Sequence, residues 1–535
     1  MSQPDGPPPG PDFRQGVALS ELPADAPLAG HVAGEAALLV RTAEGLRIVG
    51  AHCTHYGAPL AEGLVEGDTI HCPWHHACFD LRTGAATCAP AFAPLPAWQV
   101  EEKDGIVYAR ARTPFSPPVG RRCSEGADEG QRTPFSPPAG RRCPEGADEG
   151  RFSVDHPPHK ILIIGGGAAA YAAAHRLREL GYDGALTMAS ADPDLPCDRP
   201  NLSKDYLAGT APEEWIPLQD AQAYRDQGID LRLGCEVLSI DPAARRAKTR
   251  AGELAYDALL LATGAEPRRL PLPGFDSENV FVLRSLADAR AIIAAAQDAR
   301  EVAFIGAGFI GMEAAAALRA RGLAVSVVAP EAIPMERVLG PQLGNVIAAL
   351  HRNQGVALHL GRKPARLDGR DLHLDDGTRV GADLVVVGAG VVPRTQLAEA
   401  AGLAVDNGIL VDERLQASLP GHFAAGDVAR YPHAGGRARV EHWVHAERMG
   451  QRAAENMLGA GKAFDDVPFF WTHQYDLELR VSGHLSDWDA VEVEGDLAGG
   501  DFIARYRRDG RLVAAAAAGR DGELLRLEQE ALRVP

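Results

Sequence analysis

Three things are scarce in this sequence: cysteine, positive charge and long apolar runs. Eight cysteines in 535 residues are too few for a disulfide scaffold and point to a reducing, cytoplasmic setting. Lys and Arg number 54 against 72 Asp and Glu, a net charge of −18. That balance argues against a nucleic-acid or anionic-membrane binder, which would present a basic face. No stretch offers the ~20 apolar residues needed to cross a bilayer. The best candidate, ILIIGGGAAAYAAAH, is short and broken by glycine. The opening residues, MSQPDGPPPGPD, have neither the basic nor the apolar segment of a secretory signal.

The residues that are present are organised in blocks. At ~100–200 residues per domain the length predicts three or four domains. Residues 17–112 hold short apolar runs between turns, AALLV, LRIVG, DTIHC and GIVYARA, which predicts a small all-β domain. A repeat comes next. Residues 112–131 and 132–151 match at seventeen of twenty positions. Only two copies exist, neither has an apolar face to stack, and the composition is Pro, Gly and charge. A duplicated flexible linker over 113–156 is therefore expected, not a solenoid, and Cys123 and Cys143 are incidental to it. From His159 apolar strands alternate with Ala-rich helical stretches, the βαβ signature of a parallel sheet. The pattern occurs twice. The last ~70 residues read as strands of a separate C-terminal domain.

The sharpest local signal is AHCTHYGAPLAEGLVEGDTIHCPWHHACFDLRTG. Cys53-x-His55 and Cys72-x-x-His75 are separated by sixteen residues. Two thiolates and two imidazoles suit either structural zinc or a [2Fe–2S] cluster with two Cys on one iron and two His on the other. Zinc fingers usually pair Cys with Cys in one loop and His with His in the other. Here each loop supplies one of each, which favours the cluster. The two loops resemble those of Rieske proteins. Ala58 and Trp74 stand where high-potential Rieske proteins carry a disulfide between the loops. The resemblance is thus to the ferredoxin type, and it implies a potential near the low end of about −150 to +300 mV. His71 and His76 read as exposed loop residues, Cys78 and Cys88 as small core residues.

Two glycine turns carry the second signal. Gly165-x-Gly167-x-x-Ala170 and Gly306-x-Gly308-x-x-Gly311 each follow an apolar strand and open a helix. The glycines allow a tight turn and close backbone approach, and the helix N-terminus then receives a pyrophosphate. LeuAlaThrGly at 261–264 and GHFAAGDVA at 421–429 agree with this reading.

With these segments, residues 157–535 resemble the flavoproteins with two dinucleotide-binding domains. The resemblance implies FAD on the first unit and NADH or NADPH on the second. It divides the chain into an FAD domain (157–275 and 396–464), an NAD(P)H domain (276–395) and a C-terminal α+β domain (465–535), behind the all-β Rieske domain. Disulfide reductases of that superfamily place a Cys-x4-Cys pair after the first unit, and ADPDLPCDRPNLSKDYLAG holds only Cys197. DRPNLSK instead resembles oxygenase-coupled ferredoxin reductases and the apoptosis-inducing-factor family. The resemblance implies Lys204 beside the flavin paired with Glu313, and flavin contacts from Arg199, Thr263, Gly264, Arg268, Gly426, Asp427, Glu441, His442 and Trp443. The acidic residue usual at the end of the second strand of each unit is displaced. Asp192 is the substitute in the first and Glu331 in the second, with Arg337 near enough to meet a 2′-phosphate.

The expected function is transfer of electrons from NAD(P)H through FAD to the cluster and on to a one-electron acceptor protein, by a monomer or homodimer. The alternative is a slowly turning redox-sensing protein of apoptosis-inducing-factor type. A Rieske oxygenase is disfavoured because no D-x-x-H-x4-H iron site follows the Rieske segment. The linker permits the Rieske domain to dock near the flavin or to swing away.

Overall fold

The protein is described by a computed structural model covering residues 8–24, 26–112, 157–486 and 488–533. The duplicated segment, with Cys123 and Cys143, lies outside the described residues. Among those residues no helix is long and apolar enough to cross a membrane.

The N-terminal part is all β. A six-stranded antiparallel sheet runs Val17–Ala18, Ile106–Arg112, Ala97–Lys103, Gly45–Gly50, Glu35–Thr42 and Leu28–Val32 in spatial order. A four-stranded sheet, Leu64–Glu66, Thr69–His71, Cys78–Asp80 and Ala86–Cys88, carries the second cluster loop between its middle strands.

Two five-stranded parallel sheets come after it. The first is ordered Ile229–Arg232, Ala185–Ala189, Lys160–Ile164, Ala258–Leu261 and His422–Ala424. Its central strand, KILII, is buried beyond Lys160, as a run with helices on both faces must be. The second is ordered Val280–Val282, Leu384–Val387, Glu301–Ile305, Ala324–Ala329 and Ala357–Leu360. In each sheet the glycine turn leaves the strand where the chain order reverses, the position at which open α/β sheets bind ligands. The C-terminal part is a five-stranded antiparallel sheet, from Phe469–Gln474 to Arg511–Ala518, followed by helix Asp521–Leu527 and a last π-helical turn Glu528–Leu532. The fold class expected from the sequence holds throughout.

One helix pair joins the first parallel sheet to the Rieske segment. Ala168–Glu179, rich in alanine, lies against Trp443–Met457. Small side chains let the two backbones close in: a Cβ on Gly450 would overlap the Ala169 carbonyl oxygen. Trp443–Met457 is buried on most of its surface, including the charged Glu447 and Arg448. Arg448 and Gln451 reach from it to the backbone of the Rieske segment at His76 and Ala89.

Candidate functional site

The two cluster loops are built alike. The Cys53 amide donates to the Ala58 carbonyl at 2.9 Å, and the Cys72 amide to the Ala77 carbonyl at 2.8 Å. The fourth residue after each cysteine takes a left-handed conformation: Gly57 at φ 77° and His76 at φ 57°. The loops face one another. His55 Nδ1 and His75 Nδ1 are 3.2 Å apart, and Cys53 and Cys72 lie in one buried cluster. The neighbouring thiol and burial push Cys53 well up, while the Cys53 thiol holds Cys72 low. Burial pushes His55 down to about 4 and His75 well below its ordinary value, so both rings are neutral, the form that binds metal. A sulfur pair beside an imidazole pair fits a two-iron cluster with two protein ligands per iron.

His71 and His76 are not exposed loop residues. They are 4% and 0% exposed: His71 ends strand Thr69–His71 beside Cys78, and the C-terminal part covers His76. His76 Nδ1 lies 2.5 Å from Glu528 Oε2 and its ring packs on Phe469 at 4.3 Å. Cys78 is buried as expected, whereas Cys88 is only half-buried and lines a cavity.

The first glycine turn opens on a cavity of about 710 Å³. Gly165, Gly167, Arg199, Thr263, Gly264, Gly426, Asp427, Glu441 and Trp443 all line it, with Asp192 just beyond the end of the second strand. Gly165 has φ 136°, and a Cβ there would overlap the Ala262 carbonyl oxygen. A Cβ on Gly167 would point at the Arg199 guanidinium, 3.7 Å away. The cavity therefore has a bare backbone floor under a cation. A second cation, Arg284, which no motif signals, bonds Asp427 at 2.6 Å and keeps a buried Nε without a partner. These features suit a dinucleotide pyrophosphate. Three predicted residues stand elsewhere. Ala170 is fully buried inside its helix, Arg268 lies outside the cavity wall, and His442 stacks on Phe470 at 4.2 Å. Forcing alanine onto Gly165 should weaken FAD binding about five- to thirtyfold, because the left-handed backbone costs about 1–2 kcal/mol. The flavin-to-protein absorbance ratio after gel filtration measures it.

Lys204 and Glu313 meet behind Ser203, a residue of the cavity wall. Lys204 Nζ lies 2.8 Å from Glu313 Oε2. Glu313 also accepts from Ser203 Oγ at 2.7 Å, Thr472 Oγ1 at 2.6 Å and the His473 amide at 3.3 Å. At 5% exposure this carboxylate is no partner in a surface pair.

At the second turn Gly306 has φ 114° and approaches Gly388, while Gly308 faces open space. Gly311 packs its helix against the Gly306 carbonyl, 2.6 Å from where a Cβ would stand. Glu331 is half-buried and lies 4.0 Å from exposed Arg337.

The two sites are contiguous. The His75 ring lies 4.4 Å from the Trp471 ring, and Lys204 Nζ is 5.8 Å from a ring centroid of the same indole. Around this contact, Tyr56 donates to Asp198, Arg480 Nε to the Trp74 carbonyl at 3.1 Å, and Arg448 Nη2 to the His76 carbonyl at 2.9 Å. Trp471, Arg480, Arg448 and Glu528 escape sequence reasoning as site residues. No motif links them to a loop hundreds of residues earlier in the chain.

Three families match in tandem: the Rieske [2Fe-2S] domain over residues 16–99, the pyridine nucleotide-disulphide oxidoreductases over 159–450 and the reductase C-terminal domain over 469–530. Apoptosis-inducing factor 3 of Homo sapiens is 32% identical over 509 residues, covering 90% of this chain and 78% of that protein. The ferredoxin–NAD(+) reductase component of the anthranilate 1,2-dioxygenase system of Burkholderia cepacia is 40% identical over 370 residues, 67% of this chain and 91% of that one. Among solved structures, a covalent putidaredoxin reductase–putidaredoxin complex superposes with a TM-score of 0.67 at 33% identity, covering 69% of this chain and 92% of that one. The cofactors are accordingly FAD, NAD(P)H and a [2Fe–2S] cluster. The chain belongs to the pyridine nucleotide-disulphide oxidoreductase family, as an FAD-dependent NAD(P)H oxidoreductase with a Rieske domain at its front and a reductase C-terminal domain at its end.

Proposed function

We propose that this enzyme takes electrons from NAD(P)H through FAD to its own Rieske cluster and delivers them singly to an acceptor protein. The observation that carries the reading is the unbroken line of contact from His75 through Trp471 to Lys204. FAD supplies the change from two-electron hydride chemistry to one-electron transfer, and the cluster supplies a one-electron outlet.

The chain's own residues do the rest. Cys53, His55, Cys72 and His75 hold the cluster. Gly165, Gly167 and Arg199 cradle the flavin pyrophosphate, and Asp192 serves the ribose. Lys204, held behind the cavity wall by Glu313 and the Pro200 carbonyl, would supply a positive charge to the bound flavin, with Glu313 fixing its position and charge. Gly306, Gly308 and Gly311 shape the nicotinamide dinucleotide turn, and Glu331 takes the ribose hydroxyls. A carboxylate in that place favours NADH, because it accepts from a ribose hydroxyl and repels a 2′-phosphate. Relatives named as reductase components of oxygenase systems support a small electron carrier as the acceptor.

An anaerobic titration with NADH and then NADPH, followed by absorbance and EPR, tests the proposal. Flavin bleaching followed by a rhombic Rieske signal is the expected result, with NADH titrating at the lower concentration. Bleaching without any cluster reduction would overturn the internal route.

A further inference from the structure

A second cavity, of about 340 Å³, lies between the Rieske sheet and helix Trp443–Met457. Cys78 and Cys88 line it on one side, Arg448 and Gln451 on the other. Neither cysteine belongs to the cluster set, and both are free thiols. They are direct partners across the antiparallel strands Cys78–Asp80 and Ala86–Cys88. Opposed residues in such a ladder have Cα atoms about 4.5–5.5 Å apart. A disulfide spans about 4.4–6.8 Å without moving the backbone. The sulfurs also converge: Cys78 Sγ lies 3.7 Å and Cys88 Sγ 4.0 Å from the same oxygen, the His76 carbonyl.

We propose that Cys78 and Cys88 form a redox-active dithiol that a small hydroperoxide closes to a disulfide. In the first step the Cys88 sulfur attacks a peroxide oxygen. An S–O bond forms, the O–O bond breaks, and the leaving oxygen departs as water. In the second step the Cys78 sulfur attacks the Cys88 sulfenic acid. The S–S bond forms, the S–O bond breaks, and a second water leaves. The two thiols lose two electrons and two protons, and hydrogen peroxide takes up both to become two waters.

The surroundings assign the order. Cys88 is half-buried on the cavity wall, whereas Cys78 is 6% exposed behind it. The neighbouring Cys78 thiol holds Cys88 below the usual thiol range against its burial, with the Arg448 charge assisting. The neighbouring Cys88 thiol, with burial, pushes Cys78 well up. Cys88 therefore offers the thiolate and Cys78 the resolving thiol. The disulfide would form at a docking contact. The His76 carbonyl beside both sulfurs accepts from Arg448, and the Ala89 amide next to Cys88 donates to Gln451 at 3.1 Å.

The test uses the full-length protein loaded with FAD and cluster, anaerobic except for stoichiometric hydrogen peroxide. Free thiols are then alkylated, and the protein is digested with trypsin without reduction. Peptide 48–82, which holds Cys53, Cys72 and Cys78, should emerge joined to peptide 83–103, which holds Cys88. Cys78→Ser and Cys88→Ser should each lose the joined species entirely, and dithiothreitol should restore both free peptides. Absence of the joined species in the wild type would overturn the proposal. So would its persistence in Cys78→Ser, which would place the bridge on a cluster cysteine. Neither outcome depends on electrons passing from flavin to cluster.

Discussion

Lys204→Met should retain FAD and lose most of its rate of flavin reduction. Removing one preorganised donor from a developing charge typically lowers a rate by about 10²–10³, and that is the expected drop in anaerobic stopped-flow with NADH. The variant should fold. The carboxylate that Lys204 leaves behind, Glu313, still receives hydrogen bonds from Ser203, Thr472 and the His473 amide. Those three donors reduce the usual penalty of about 3–5 kcal/mol for stranding one half of a buried pair. A flavin reduction rate equal to wild type would remove Lys204 from the mechanism and leave it a structural partner of Glu313.

Glu528→Ala should release the Rieske domain from the reductase. Glu528 is fully buried, bonds the His76 ring and the Ser482 hydroxyl, and lies 3.8 Å from Arg448. Deleting it strands a buried guanidinium, at a cost of about 3–5 kcal/mol. It also withdraws the contact that holds His76 in its left-handed conformation, itself a strained state for a side chain other than glycine. Limited proteolysis between the domains should accelerate, and cluster reduction by NADH should fall while flavin reduction persists. An unchanged rate of cluster reduction would show that Trp471 and Arg480 suffice to dock the loops.

The same carboxylate sets a pH dependence. Burial pushes the Glu528 carboxyl up, but the His76 charge and hydrogen bond, Arg448 and the Ser482 hydroxyl together outweigh burial and hold it at about 2, below its ordinary 4.5. A depressed folded-state value means the unfolded chain binds the proton first. The stabilisation is thus complete above about pH 4.5 and fades as pH falls toward 2. Wild-type stability should decline through that window, and Glu528→Gln should flatten part of the decline.

Legibility in the sequence tracks the range over which each feature is determined. The cluster ligands are readable because Cys-x-His and Cys-x-x-His are local: each short loop fixes its own geometry through two amide–carbonyl bonds. The glycine turns are readable for the same reason. A strand that must turn at once into a helix admits little besides glycine at a residue such as Gly165. His71 and His76 read wrongly as exposed because a loop histidine is usually wet. Nothing within the loop announces that a turn starting at Glu528 will cover it. Arg268 falls outside the cavity because a short offset along the chain after Thr263 and Gly264 carries a side chain away from the wall altogether.

By itself the sequence determined the order of the modules and the parallel-sheet framework, since these rest on residue spacing and on strand and helix periodicity, and its motifs gave the cofactors through the family they resemble. Only the tertiary structure decided that the cluster loops lie against Trp471, which in turn lies by Lys204, that Arg448 and Glu528 lock them there, and that Cys78 faces Cys88. Such contacts join surfaces up to 452 residues apart. They arise where separately folded faces meet, and shape and charge complementarity across such faces leave no periodic trace in the chain.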